Sequence, residues 1–223
     1  MTIEPSSRSL RIHEIYESVQ GESTFAGTPC TFIRLAGCPL NCRYCDTPQA
    51  IPTDSGSDCS IHEIVEKVRA FSHPLVLVTG GEPLAQRNVI ELLNSLLKEP
   101  VILQLETAGA HDLSRVPEGV SIIMDIKTPG SGEVARNRWE NISHLKTGDE
   151  IKFVINDRDD YEWVKKMIRD RSLAELKIPL LLSPAWKMLS PAMLVEWMLK
   201  DRLPARLQIQ QHKYIWGDQV TGV

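Results

Sequence analysis

Short apolar stretches of two periodicities take turns in this sequence. Ile12-His13-Glu14-Ile15-Tyr16 alternates apolar with polar residues and gives way to Ser18-Val19-Gln20-Gly21-Glu22-Ser23, which predicts a short strand entering a polar loop. Thr31-Phe32-Ile33-Arg34-Leu35-Ala36-Gly37 is rich in β-formers, and Leu75-Val76-Leu77-Val78 is a continuous apolar run of strand length. Further strands are expected over 101–105, 120–124, 151–155, 180–182 and 207–210. Between them the spacing becomes helical. Ile61, Ile64, Val65 and Val68 share one face behind a capping box of Ser60 and Glu63, and Val89, Ile90, Leu92, Leu93, Leu96 and Leu97 mark a second helix. A third carries Trp163, Val164, Met167 and Ile168 behind a cap near Asp157, and a fourth starts near Ser190 with Pro191 in its first turn. Residues 1–9 read as a flexible leader, 49–58 as a surface loop, and 130–150 as a long loop with one short helix at 139–142.

Strands alternating with helices predict an α/β fold with a parallel sheet. Six or seven strands follow Cys30, whereas a closed eightfold barrel takes about 250 residues, so the expectation is an incomplete, TIM-like βα barrel with an open sheet. Chemistry in such folds gathers at the carboxyl ends of the strands, where Cys38, residues 79–82, Glu106, residues 125–127 and Ser183 all fall. A chain of 223 residues, 42% hydrophobic, fits one domain over 1–223. Its net charge of −4 argues against a broad basic surface for nucleic acid and leaves a small-molecule substrate as the default. The apolar runs are strand-sized and residues 2–9 are polar, so no membrane span or secretion signal is expected and the chain reads as cytoplasmic.

Five cysteines are an odd number, and three of them, Cys38, Cys42 and Cys45, sit in one short loop. In a reducing compartment that spacing favours a metal site over disulfides. Three thiolates can each hold one iron of a cubane cluster and leave the fourth iron open, whereas a structural zinc wants four closed ligands and no second Cys-x-x-Cys is present. The spacing therefore favours iron–sulfur over zinc. Cys30 reads as a buried small hydrophobe. Gly80-Gly81-Glu82-Pro83 closes the strand after the cysteine loop, with glycines that let a ligand approach the backbone and a carboxylate able to receive an ammonium. By itself the same run also makes an ordinary loop and helix start. Arg34, alone on an apolar strand, reads either as a solvated edge residue or as a ligand clamp.

The cysteine spacing, with Tyr44 before the third cysteine, resembles the signature of the radical S-adenosylmethionine (SAM) superfamily, and Gly80-Gly81-Glu82-Pro83 resembles its strand-end motif for the methionine amino group. A narrower resemblance spans almost the whole chain. Gln20-Gly21-Glu22, Arg34, the cysteine loop running into Asp46-Thr47, Glu106-Thr107 and Gln211-His212-Lys213-Tyr214 are similar to the 7-carboxy-7-deazaguanine synthase family. The resemblance implies conversion of 6-carboxy-5,6,7,8-tetrahydropterin to the deazapurine core of queuosine, with ring contraction and loss of ammonia. It also implies a homodimer, a recycled SAM cofactor, Mg²⁺ and a flavodoxin- or ferredoxin-type reductant, with no direct contact to nucleic acid or membrane.

Carried over by position, Cys38, Cys42 and Cys45 would ligate a 4Fe-4S cluster and Thr47 would ligate Mg²⁺. Tyr44, Cys45, Asp46, Gly81, Glu82, Asp125, Ile126, Lys127, Ser183 and Pro184 would meet SAM; Val19, Gln20, Gly21, Glu22, Arg34, Thr79 and His212 would meet the pterin, with Arg34 on its carboxylate. Two departures stand out. Ser23 replaces a common glycine, and the chain continues from Ile215 to Val223 where family members end in a proline whose carboxylate faces substrate; Asp218 lies near the equivalent position. A glycyl-radical-enzyme activase, which shares the cysteine spacing, is the alternative, although it has no use for Gln20, Arg34, Thr47 and His212. A non-catalytic iron–sulfur or zinc module is the reading of a different class.

Overall fold

The protein is represented by a computed structural model that describes residues 8–217 and Gly222. Its strands are β1 (Ser9–Val19), β2 (Pro29–Leu35), β3 (Ser57–Ser60), β4 (Leu75–Gly80), β5 (Ile102–Thr107), β6 (Ser121–Asp125), β7 (Glu150–Ile155), β8 (Leu180–Pro184) and β9 (Arg206–Leu207). Its helices are α1 (Ile61–Phe71), α2 (Val89–Leu96), α3 (Arg158–Asp170), α4 (Pro191–Asp201) and α5 (Gln211–Trp216). One sheet runs in the order β3-β1-β2-β4-β5-β6-β7-β8-β9, parallel from β2 to β9, with β1 antiparallel to β2 and β3. The two ends are not paired to each other, so the expected open, partial barrel is what forms.

Strand alternation divides the sheet's two faces by chemistry. Ile33 and Leu35 of β2, Val76 and Val78 of β4, and Leu103 and Leu105 of β5 point to one face and bury against Ile61, Ile64, Val65 and Val68 of α1 and Val89, Leu92, Leu93 and Leu96 of α2. Farther along, Ile122 and Met124 of β6, Ile151, Phe153 and Ile155 of β7, and Leu180 and Leu182 of β8 do the same against α3 and α4. The opposite face begins apolar, with Cys30, Phe32, Leu75, Leu77 and Ile123, and turns polar toward the carboxyl ends of the strands. Helices thus cover one face and a polar floor forms on the other.

The predicted caps form. Ser60 Oγ accepts from the Glu63 amide at 3.2 Å while Glu63 Oε2 accepts from the Ser60 amide at 2.8 Å, and Asp157 Oδ1 accepts from the Asp160 amide at 2.9 Å. Other expectations are corrected. Arg8 and Ser9 are not leader: β1 begins at Ser9, paired to Ser60, and is twice the expected length because β2 and β3 supply partners on both sides. The 49–58 loop ends in the edge strand β3, which its Ser-Gly composition hid. The last strand is only Arg206–Leu207. Residues 1–7, the greater part of the expected leader, lie outside the described residues.

Ser23 gives the departure noted above a physical account. Its backbone lies in the left-handed region at φ +65, where glycine would be unstrained. Its Oγ accepts from the Phe25 amide at 3.0 Å and from Gln104 Nε2 at 3.4 Å. Ser23→Ala keeps the strain and loses both bonds, so it destabilises by about 1–3 kcal/mol, whereas Ser23→Gly trades the bonds for relief and stays within about 1 kcal/mol of wild type; thermal melting reads the order.

Candidate functional site

The cysteine loop leaves β2 at Leu35 and is pinned by backbone bonds on every side. Gly37 and Cys38 donate to Ala50 and Ile51 carbonyls at 2.8 and 3.0 Å, Arg43 donates to the Ser131 carbonyl at 3.0 Å, and Cys45 donates to the Cys42 carbonyl at 3.1 Å. The Gly80-Gly81-Glu82 turn holds its root: Gly81 N donates to the Leu35 carbonyl and Glu82 N to the Gly37 carbonyl, both at 2.9 Å. A Cβ on Gly80, at φ +147, would strike Leu35 backbone, and one on Gly81 would strike the Gly37 carbonyl. These glycines therefore seat the cysteine loop on β4, a different reason from the ligand approach expected of them.

Cys38, Cys42 and Cys45 are all partly exposed and free, whereas Cys30 is fully buried, as expected. Burial pushes the Cys42 thiol up to about 11, and Cys38 and Cys45 also upward, so filling the loop with metal must release protons. Among the described residues, the one trio of His, Cys, Asp or Glu ligand atoms converging within 4.8 Å is Glu22, Asp46 and His212. Cys38, Cys42 and Cys45 do not form such a trio, whereas a single tetrahedral zinc would draw its thiolates together. The Glu22–Asp46–His212 corner is ringed by donors: Gln208 and Gln210 amides reach Glu22 at 2.8 and 2.9 Å, and Gln210 also reaches Asp46 at 2.7 Å.

A cavity of about 710 Å³ opens above the loop at the carboxyl ends of the parallel strands. It gathers Cys38, Cys42, Tyr44, Cys45, Asp46, Thr47, Val19, Gln20, Glu22, Arg34, Thr79, Gly81, Asp125, Lys127, Ser183 and His212, from segments spread over most of the sequence. Four expected residues are not on its wall: Gly21, Glu82, Ile126 and Pro184. Gly21 lies behind His212, whose imidazole occupies the space a Gly21 side chain would need. Ile126 packs into the apolar core, and Pro184 faces a neighbouring groove. Glu82 is fully buried and accepts from the Leu84 amide at 2.9 Å, the Ala108 amide at 2.7 Å and the Thr107 hydroxyl at 2.8 Å. Glu82→Gln would set an amide N–H against one of these donors, and is expected to lower stability by about 1–3 kcal/mol in thermal melting.

The charges are ordered in pairs. Arg34 is no solvated edge residue: it donates to Glu14 Oε1 at 2.7 Å, to the Tyr16 hydroxyl at 2.8 Å and to Thr47 Oγ1 at 3.4 Å. Glu14 faces it across the β1–β2 ladder, and Tyr16 stacks on Phe32 with ring centroids 4.9 Å apart. Lys127 Nζ pairs with Asp125 Oδ2 at 2.8 Å, leaving Asp125 Oδ1 buried with no partner. Lys152 pairs with both Glu22 and Glu106. Burial opposes ionisation of Asp46, but Lys213, Lys152 and the Gln210 amide outweigh it and hold the carboxyl well below the usual range. Burial lowers the His212 pKa and favours the neutral ring.

A profile described as the radical SAM superfamily matches residues 32–177. The 7-carboxy-7-deazaguanine synthase of Chlorobaculum tepidum is 43% identical over 96% of this chain and 97% of its own length, and that of Koribacter versatilis is 38% identical over 96% and 100%. The chain belongs to the 7-carboxy-7-deazaguanine synthase family, within the radical SAM superfamily. The crystal structure of QueE from Escherichia coli shares the fold, with a TM-score of 0.73 at 24% identity over 92% of this chain and 95% of that one.

Membership in the radical SAM superfamily implies SAM and a 4Fe-4S cluster, and the residues present fit both: three free thiols of one short loop on the cavity wall, and with them the orphaned Asp125 Oδ1 in a cavity roomy enough for a nucleoside and a bicyclic ligand together. Beyond the family motifs, the deazaguanine synthase cavity also holds Glu14, Tyr16, Lys152 and Gln210, which no short motif marks. The available signal was parity: Glu14 and Tyr16, Gln104 and Glu106, and Glu150 and Lys152 stand at alternate strand positions whose intervening neighbours are mostly apolar. The chain end also returns here, because Gly217 and Gly222 line the cavity; Asp218 lies outside the described residues.

Proposed function

We propose that this chain converts 6-carboxy-5,6,7,8-tetrahydropterin to 7-carboxy-7-deazaguanine with loss of ammonia; the name of its relatives gives the product. The observation that carries the reading is that the free thiols and a guanidinium, Arg34, line one cavity at the strand ends. Cys38, Cys42 and Cys45 would hold the cluster, which together with SAM would supply one-electron chemistry for hydrogen-atom abstraction. The chain itself binds and orients. Arg34, aimed by Glu14 and Tyr16, offers its fork to the substrate carboxylate. Val19, Gln20, Gly21, Glu22, Thr79 and His212 hold the ring, with Gly21 acting through the backbone that seats His212. Tyr44, Cys45, Asp46, Gly81, Asp125, Lys127 and Ser183 receive SAM, while Glu82, Ile126 and Pro184 fix the segments that carry those residues.

Mg²⁺ is assigned to the Thr47 hydroxyl, a hard oxygen donor on the cavity wall, with the remaining ligands from substrate and water. A flavodoxin- or ferredoxin-type reductant, a homodimer and a cytoplasmic setting complete the reading; the free cysteine set suits a reducing compartment. No helix of the described chain is long and apolar enough to cross a membrane. Anaerobic incubation of cluster-loaded protein with the carboxytetrahydropterin, SAM, Mg²⁺ and dithionite tests the function. The deazaguanine product and ammonia are expected, and their absence with an intact cluster would remove the assignment. A glycyl-radical-enzyme activase would instead act on a polypeptide, and the enclosing ring of Glu14, Arg34, Glu22 and His212 favours the small substrate.

A further inference from the structure

One buried cation on the cavity floor has no place in the functional scheme above. Lys152 stands in the middle of β7 on the polar face, with only 6% of its side chain exposed. In register it sits beside Asp125 of β6, yet Asp125 takes Lys127 at 2.8 Å. Lys152 instead crosses β6 to reach Glu106 of β5 at 2.9 Å, and pairs at the same time with Glu22 of the loop after β1. Among the described residues no other cation makes an ion pair with either carboxylate. Both carboxylates line the cavity.

We propose that Lys152 is a positioning residue for the pterin reaction: its ammonium clamps Glu22 to Glu106 across the cavity floor, so that both carboxylates face the N–H donor edge of the substrate. The role rests on the function proposed above. Two carboxylates from separate segments repel each other, and burial makes each harder to ionise; a shared ammonium removes both objections at once. Burial raises the Glu22 carboxyl, yet Lys152 and its neighbours bring it below the usual range, whereas burial prevails at Glu106 and leaves it raised. The groups facing this pair are Asp125 from β6, Asp46 from the cysteine loop and His212 from α5, with Lys127 and Lys213 already engaged by Asp125 and Asp46. Glu150, two residues before Lys152, is turned to the Thr24 amide at 3.0 Å.

Lys152→Met tests this beside Lys152→Arg in cluster-loaded protein. For Lys152→Met the KM for the pterin is expected to rise at least tenfold more than the KM for SAM, fluorescence titration with the pterin to lose affinity by a similar factor, and the acidic limb of kcat/KM to move up by at least one pH unit. Lys152→Arg should keep the wild-type limb. Should Lys152→Met not fold, Lys152→Met/Glu106→Gln removes one of the stranded charges and is expected to keep the raised KM. A wild-type KM and pH limb in whichever Met variant folds would overturn the role while leaving the function standing. No turnover of the pterin by the wild-type enzyme would overturn both.

Discussion

Cys42→Ala abolishes product formation and the iron content of purified protein, while Cys30→Ala retains both; this contrast is the largest effect the site predicts. Cys42 is half exposed on a loop held by backbone bonds, so its thiol is not needed for folding, and the metal-free variant should melt within about 1 kcal/mol of the metal-free wild type. It is one of the three proposed cluster ligands, and no neighbouring thiol can replace it, because Cys30 is fully buried at the far end of β2 and Cys59 stands on β3. Cys30→Ala behaves the other way. It removes a fully buried sulfur from the cluster of Phe32, Leu75, Leu77 and Ile123, and should cost about 1–2 kcal/mol of stability with iron retained. Iron assay and thermal melting on the same samples separate a ligand from a packing residue. Iron retained by Cys42→Ala would remove the loop from its role.

Gly80→Ala is expected to be the most damaging change that touches no ligand. The Gly80 backbone lies at φ +147, a region L-residues rarely enter, and its new Cβ would fall on the N, C and O of Leu35. Backbone on a buried central strand cannot step aside as a side chain tip can. The expected loss is about 3 kcal/mol or more, a large share of a typical 5–15 kcal/mol stability. Because Gly81 N and Glu82 N hold the Leu35 and Gly37 carbonyls, the strain passes directly to the root of the cysteine loop. Surviving Gly80→Ala protein should therefore also retain less iron. Wild-type melting and iron content would show that the turn does not brace the loop.

Much of this was legible in the sequence, and what escaped has physical causes. Central strands such as β4 and β7 read correctly because burial on both faces, or alternation against the core, leaves a strong apolar signal. Edge strands did not: Ser57-Asp58-Cys59-Ser60 joins the sheet through backbone pairing to β1, which any composition can do. The crossover from β6 to β7 has no α-helix, only 3-10 turns such as Pro129–Ser131 and Trp139–His144; its Pro-Gly-Ser opening favoured that outcome.

At the site, residues inside short motifs were found, and Lys152, Tyr16 and Gln210 were not. Their importance comes from register, which sets Lys152 within reach of Glu106 two strands away and Tyr16 beside Arg34. Glu82 illustrates the converse. Its motif was legible, but its carboxylate is directed by the Leu84, Ala108 and Thr107 donors into the wall, a preference no spacing reveals.

The most direct measurement is a crystal structure of the cluster-loaded protein with SAM and the carboxytetrahydropterin bound together. Both ligands are expected in the one strand-end cavity, with the cluster on Cys38, Cys42 and Cys45 and the pterin carboxylate on the guanidinium of Arg34, which Glu14 and Tyr16 already hold in place. A pterin bound elsewhere, or bound with Arg34 turned away from it, would contradict the proposed role of this cavity.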